Sequence, residues 1–231
     1  MVSAVLTIDD IASKNTTAIV DYLLKMGIHP LMFAWGEKVE EFFDNAVYVV
    51  KNGIVLGNHS YSHPAFSKIS FEEAKNEIVK NEEVLNRVYA AAGVERKFRP
   101  FRFPYGDKGG ENAAAIQQFL KQMKFNKLKD TQIAYPWWKE QGLDKSIDTL
   151  WTFDFEEYRI RQGSGFTKEN VLEKIHKANH EYGGSLLDED SHHILLLHAH
   201  DETEEQVPEY YKLFIGQLLE MGVSFEMPEF L

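Results

Sequence analysis

The chain has 231 residues, 44% of them hydrophobic, enough to bury one substantial core, and a single domain over residues 1–231 is expected. Its formal charge of -11, from 36 acidic and 25 basic side chains, offers no footprint for phosphate backbones or anionic membrane surfaces, so neither nucleic acid nor membrane is an expected partner. With no cysteine, a disulfide scaffold is excluded and any metal site must be built from His, Asp and Glu.

The first strand-like run, residues 3–8, begins at once and ends on Asp9-Asp10. No charged and apolar leader precedes it and no apolar run is long enough to span a bilayer, so the expected compartment is cytoplasmic, or extracellular if a leader was removed. A helix over 15–26, a strand over 30–35, a helix over 37–51 and a strand over 54–58 follow, the last running into Gly57-Asn58-His59-Ser60-Tyr61-Ser62-His63-Pro64. The helix over 70–92 has the clearest start, a capping box of Ser70 with Glu73. A strand over 98–103 leads into Pro104-Tyr105-Gly106, and a helix over 111–125 precedes strands over 131–135, before Pro136-Trp137-Trp138, and 149–153, before Asp154. A helix over 167–182, opened by Thr167 with Asn170, a strand over 193–197 ending at His198, a helix over 207–221 and a strand over 223–225 complete the chain. There is no internal repeat and no low-complexity linker. Strand-helix alternation of this length predicts an α/β fold, a distorted (β/α) barrel of about seven parallel strands. In such barrels chemistry collects at the C-terminal ends of the strands, where Asp9-Asp10, His59, Tyr105, Asp154 and His198 all fall.

His59 and His63 are spaced i, i+4, so one turn of helix would put both imidazoles on one side, and neutral imidazole is the commonest protein ligand of zinc-like metals. Asp10 is the candidate third ligand, because a carboxylate offsets part of a dication's charge and leaves positions open. Neighbouring carboxylates can divide the labour, one binding metal and the other taking a proton from the water the metal activates. The competing reading of Asp9-Asp10 is an N-cap, with Asn15-Thr16-Thr17 standing nearer the helix start. Two His and one Asp suit one divalent ion, zinc first, with cobalt, nickel or manganese as alternatives.

Five ordered segments resemble the polysaccharide deacetylases of the NodB-homology type, carbohydrate esterase family 4. Thr7-Ile8-Asp9-Asp10 is similar to its Thr-Phe-Asp-Asp motif and His59-Ser60-Tyr61-Ser62-His63 to its His-Ser/Thr-x-x-His motif. Arg102-Phe103-Pro104-Tyr105-Gly106 resembles Arg-x-Pro-Tyr-Gly, Asp154-Phe155-Glu156-Glu157-Tyr158 resembles Asp-x-x-Asp-Trp more loosely, and Leu196-Leu197-His198 resembles the closing Leu-x-His. The resemblance also covers the stretch over 47–57 that leads into the histidines. It implies a NodB-like barrel in which Asp9 is the general base, Asp10, His59 and His63 are the metal ligands, and His198 is the general acid. It further implies that Tyr105 supplies a backbone N–H to the oxyanion and that Arg102 orients Asp9, the alternative for Arg102 being a surface cluster with Arg96, Lys97 and Arg99.

Two departures from the family pattern bear on substrate. Ile11-Ala12 replaces Gly-Pro after the Asp pair, and Glu157-Tyr158 stands where Asp-Trp is usual. In the family that acid orients the catalytic histidine, so Glu157, with Asp154, joins the expected catalytic set. A solvated acidic turn at Glu156-Glu157 is the equal alternative. His200 is a rival to His198, sharing its face if the strand continues, but the resemblance selects His198, and His192, His193 and His200 are expected to face solvent in a loop. Asp201 is expected to cap the next helix, and His29, His176 and His180 lie outside every motif. Pro104, Tyr105, Tyr158 and Trp137 are the expected substrate-binding residues. Trp35, Trp138, Trp151 and Tyr61 are further candidate platforms for sugar rings; packing is expected for Trp151, and both readings stay open for Trp137-Trp138.

The function these residues imply is metal-dependent removal of acetyl groups from an N-acetylated or O-acetylated saccharide. The alternatives are a C–N hydrolase acting on a small or cyclic amide, and a non-catalytic barrel that binds saccharide.

Overall fold

The computed structural model describes residues 1–178 and 183–231. In chain order the elements are β1 (Ser3–Ile11), α1 (Thr16–Lys25), β2 (Leu31–Ala34), α2 (Gly36–Glu41), α3 (Phe43–Lys51), β3 (Val55–Asn58), α4 (Phe71–Ala92) and α5 (Ala113–Gln122). They continue with α6 (Pro136–Glu140), β4 (Phe153–Asp154), α7 (Lys168–Ile175), β5 (His192–His198), α8 (Asp201–Gln206), α9 (Tyr210–Glu220) and β6 (Ser224–Phe225). No described helix is long and apolar enough to cross a membrane.

Among the described residues the strands form one parallel sheet of six in the order β3-β2-β1-β5-β4, with β6 also pairing β1. Every residue of β1 from Ala4 to Ile11 is buried, as a central parallel strand covered on both faces requires. Side chains alternate: Ala4, Leu6 and Ile8 pack in the larger core with α1, α3, α4 and α9, while Val5 packs on the other face with Leu31, Phe33 and Ile194. Thr7 and Asp9 share the face of Val5. The register with β5 pairs Thr7 with Leu196 and Asp9 with His198, so Asp9 and His198 are neighbours at the C-terminal rim.

The sheet is shorter than the sequence predicts. The run over 98–103 contributes a single bridge, Asn58 to Phe101, because Pro100 has no N–H to donate and Pro104 ends the extended stretch. Gly57 lets this segment approach β3 closely, since a Cβ there would lie 2.8 Å from the Pro100 carbonyl oxygen. Residues 131–135 form a turn rather than a strand, and Pro136 then opens α6 at a first-turn position where its missing N–H costs nothing. Between β3 and β4 the ladder is reduced to three hydrogen bonds, Asn58 N–H to the Pro100 carbonyl, Arg102 N–H to the Asn58 carbonyl and Thr149 N–H to the Phe101 carbonyl.

Helix ends follow local chemistry. Ser70 and Glu73 form the expected capping box, and α4 stops at Gly93 in the left-handed region (φ 70°). Thr167 and Asn170 do the same for α7, which ends at Ile175; the rest of its expected course, with His180, falls partly on residues 179–182, outside the described residues. The helix expected over 37–51 is broken at Phe42. The one expected over 207–221 is α9, which starts later, at Tyr210; a separate helix, α8, precedes it and ends at Gln206, because Pro208 disfavours a helical conformation at Val207.

Candidate active site

Asp9 and Asp10 belong to the strand itself, not to a helix cap: β1 continues to Ile11, and α1 begins only at Thr16 after Asn15. Strict alternation would send adjacent side chains to opposite faces. A register shift between Ile8 and Ile11, with Asp10 at φ 63°, turns both carboxylates to the same rim, a use of irregular strand geometry that Asp tolerates better than most residues. Behind them Ile11 and Ala12 are fully buried.

Arg102 is fully buried, so the surface-cluster reading does not hold; Arg96 and Arg99 pair with Glu82 instead. Its Nη1 donates to Asp9 Oδ1 and to Thr7 Oγ1, both at 2.8 Å, and its Nε donates to the Thr149 carbonyl at 3.0 Å. The guanidinium lies over the rings of Phe33 and Trp151, 4.6 and 5.5 Å from their centroids. Asp9 is thereby held from behind with its Oδ2 facing the cavity, 3.5 Å from His59 Nε2.

His59 and His63 do converge, but not through a helical turn. The loop bends at Ser60 (φ 64°) and His63 (φ 59°), and its N–H groups are taken by side chains: Ser60 donates to Asn58, Tyr61 and Ser62 to Glu77. Asn58 is itself anchored by donating to Glu82 and accepting from Asn81, two buried residues of α4. His59 Nδ1 lies 2.8 Å from the Arg102 carbonyl, which fixes that nitrogen as the donor and leaves Nε2 with its lone pair. His63 stacks on Trp35 at 4.6 Å, and burial together with neighbouring His59 pushes its pKa down to about 4, so it is neutral at physiological pH.

The three candidate ligand atoms fit one metal ion. His63 Nε2 is 3.2 Å from His59 Nε2 and 3.3 Å from Asp10 Oδ1, and His59 Nε2 is 3.7 Å from Asp10 Oδ1. Ligand bonds of about 2.0–2.1 Å in tetrahedral geometry give edges of about 3.3 Å. Asp10 Oδ1 is buried with no hydrogen-bond partner, which a cation among these atoms would satisfy. Burial alone would raise the Asp10 pKa; the His200 hydrogen bond and the surrounding imidazoles outweigh it and hold the carboxyl well below the usual range.

On the opposite side stand His198 and Glu157. Glu157 is fully buried, so it is no solvated turn residue; its Oε1 accepts from the His198 backbone N–H at 2.5 Å and lies 3.1 Å from His198 Nδ1. Glu156 is the outward-facing member, paired with Arg159 and Lys174. Burial opposes a charged His198, but Glu157 overrides it and raises the imidazole pKa to about 10. Asp154 lies beside this pair, pushed up to about 6 by burial. Between about pH 6.5, the unfolded value, and about 10 the folded chain holds a proton on His198 that the unfolded chain has released. This contribution is complete below pH 6.5 and lost as pH rises through 10. Urea denaturation at pH 7 and pH 10 should therefore show stability falling with pH, and Glu157→Gln should flatten that slope; equal slopes would rule the coupling out.

The Pro104-Tyr105-Gly106 turn rises beside the histidines, with Tyr105 at φ 58° and its ring 4.7 Å from His63. Its two backbone bonds run from Gly106 to Phe103 and from Asp107 to Pro104, and neither uses the Tyr105 N–H. Pro104 is buried and shapes the turn without lining the cavity. The cavity, about 360 Å³, is walled by Trp35, Tyr105, Trp151 and Tyr158 above the Asp and His side chains. Trp151 packs against the core of Val5, Leu31, Phe33 and Ile194, as expected, and also forms part of the cavity wall. Trp137 stacks on Tyr135 and lines an adjoining recess, Trp138 is buried with its indole N–H on Asp130, and Tyr61 turns away to Glu40 and Lys80.

The remaining histidines of this region are not solvent-facing loop residues. His192 and His193 are buried in β5, bonded to Ser3 and to Thr152 and Ser191, because a parallel strand is covered on both faces. His200 lies 5.3 Å from His198, ring to ring, and its Nε2 is 2.5 Å from Asp10 Oδ2. Only the His-x-His spacing hinted at this. Asp201 does not cap α8 from the N-cap position, which is His200; its carboxylate receives the Lys14 N–H. His29 is half-buried and His176 sits on the surface near Gln217.

Comparison with known proteins bears on this arrangement. The chain is 39% identical over 103 residues to a peptidoglycan-N-acetylglucosamine deacetylase of Bacillus cereus, an alignment covering 44% of this chain and 36% of that protein. It is 32% identical over 104 residues to the peptidoglycan-N-acetylmuramic acid deacetylase PdaC of Bacillus subtilis, covering 44% of this chain and 21% of that protein. The chain thus spans 36% of the length of one of these curated relatives and 21% of the other. The crystal structure of the Bc1960 peptidoglycan N-acetylglucosamine deacetylase superposes with a TM-score of 0.65 at 23% identity, over 97% of this chain and 85% of that one, a likeness of fold. The family model for polysaccharide deacetylases matches residues 2–127, which takes in the Asp pair, both loop histidines and the Arg102 segment. That match extends over more than half of the 231 residues, and the chain belongs to the polysaccharide deacetylase family.

Proposed function

We propose that this chain removes acetyl groups from an N-acetylated, or O-acetylated, saccharide with the help of one divalent ion, zinc first, held by Asp10, His59 and His63. One observation carries the reading. Asp9 and His198 are paired in register across β1 and β5, each is gripped by a buried partner, Arg102 or Glu157, and both face the cavity beside the ligand cluster. A base and an acid held on either side of a reacting carbonyl is the arrangement acyl hydrolysis needs. The names of the relatives, which act on N-acetylglucosamine or N-acetylmuramic acid of peptidoglycan, support an amino-sugar substrate.

An ion bound there would supply Lewis-acid polarisation of the acetyl carbonyl and a lowered pKa for water. Asp9 takes the proton of the attacking water, its free Oδ2 aimed by the Arg102 grip on Oδ1. The Tyr105 N–H donates to the oxygen that becomes negative as the carbonyl carbon turns tetrahedral, and one aligned donor contributes about 2.7–4 kcal/mol. His198, protonated at neutral pH, gives its proton to the departing nitrogen as the C–N bond breaks, with Glu157 holding the ring. Trp35, Trp151 and Tyr158 offer flat faces to the sugar ring. We read residues 1–231 as one catalytic unit.

The test is acetate release from oligomers of N-acetylglucosamine. Activity should be lost on exhaustive chelation and return with stoichiometric zinc. Turnover that survives removal of all metal would overturn the mechanism.

A further inference from the structure

The side chain of His200 has no role in the chemistry above, yet it makes a closer contact with Asp10 than either candidate ligand does. Its Nε2 lies 2.5 Å from Oδ2, whereas His63 and His59 approach Oδ1 at 3.3 and 3.7 Å. The two oxygens of Asp10 are thus divided, one facing the ligand cluster and the other engaged by His200. His200 is not itself part of the cluster, which consists of Asp10, His59 and His63. Nor does its distance from Asp10 suit two ligands of one ion, whose donor atoms in tetrahedral geometry stand about 3.3 Å apart.

The backbone that carries the ring is held as well. The His200 backbone N–H donates to Tyr210 Oη at 3.2 Å, and that hydroxyl donates in turn to the His198 carbonyl, so a fully buried tyrosine of α9 sets the chain direction just past β5. The His200 side chain is 23% exposed, so its position is not imposed by core packing alone.

We propose that His200 is a positioning residue for Asp10: it donates Nε2–H to Oδ2 and so keeps the carboxylate a one-oxygen donor to the metal. A carboxylate with a free second oxygen can swing to chelate the ion with both, filling a position that water or the acyl oxygen must occupy. The hydrogen bond to His200 prevents that swing and fixes the plane in which Oδ1 points at the cluster. Hydrogen bonds to ligands from outside the coordination sphere commonly change metal affinity by about 10–100-fold. The inference rests on the reading of Asp10 as a metal ligand.

The experiment is zinc titration of metal-free protein against a chromogenic chelator, with circular dichroism to verify folding. His200→Leu fills the space without a donor, and His200→Gln places an amide N–H near the position of Nε2. His200→Leu should bind zinc about 10–100-fold more weakly, and His200→Gln should recover most of the loss. In an Asp10→Asn background the His200→Leu change should have no further effect. With cobalt in place of zinc, the visible band of His200→Leu should weaken relative to wild type as a second carboxylate oxygen joins the ion. Leu and Gln variants that bind equally, beside a clear loss in Asp10→Asn, would overturn the positioning role while sparing the ligand reading. Unchanged affinity in Asp10→Asn itself would overturn both.

Discussion

Replacing Asp9 by Asn is expected to lower acetate release by roughly 10²–10⁴-fold while leaving one zinc per chain in place. Asn keeps the shape of Asp and an oxygen that can accept from Arg102 Nη1, so the local hydrogen bonds survive in outline. What it loses is the capacity to take a proton. The zinc content is the informative control, because Asp9 Oδ2 lies 3.5 Å from His59 Nε2, close enough that a ligand role has to be tested. Retained zinc with lost turnover supports the division of labour between the two carboxylates. Retained turnover removes Asp9 as the base, and lost zinc makes it a ligand.

Arg102→Met should destabilise the fold by about 3–5 kcal/mol, measured by urea denaturation, because it leaves the Asp9 charge buried without its partner. Met is a near match for the aliphatic stem of Arg, so the packing against Phe33 and Trp151 is largely preserved, and the cost reports mainly on charge and hydrogen bonding. The Thr149 carbonyl and Thr7 hydroxyl lose a donor at the same time. Adding Asp9→Asn to Arg102→Met should recover a good part of the loss, since the uncompensated charge is then gone and the two positions are in direct contact. A cost below about 1 kcal/mol for the single variant, or no recovery in the double, would show that the pair does not carry local stability.

How much of this was legible in the chain depends on the range of the forces involved. The capping box at Ser70 and Glu73 was readable because its donors and acceptors lie three residues apart. The strands β1 and β5 were readable as unbroken apolar runs, since a parallel strand covered on both faces needs them. The run over 131–135 looked no different, and Pro136 turned it into the entrance of a helix. Likewise 98–103 keeps an extended course but only one bridge, because Pro100 cannot donate. The i, i+4 spacing of His59 and His63 pointed to convergence but to the wrong backbone, since positive φ at Ser60 and His63 is stabilised by Asn58 and Glu77, contacts that local periodicity does not encode.

By itself the sequence determined the chemical inventory and its rim: two adjacent carboxylates, paired histidines and a terminal histidine, each at or just past the C-terminal end of a strand, so that strand direction alone collects them at one end of the sheet. Only the tertiary structure decided which of these groups touch. The burial of Arg102 under Asp9, the choice of Glu157 over Glu156 as partner of His198, the place of Trp151 in the cavity wall and the contact of His200 with Asp10 all follow from packing between distant segments. Burial and hydrogen bonding are set by what lies across the fold, and Asp10 and His200, 190 residues apart, become neighbours only when β1 and β5 pair.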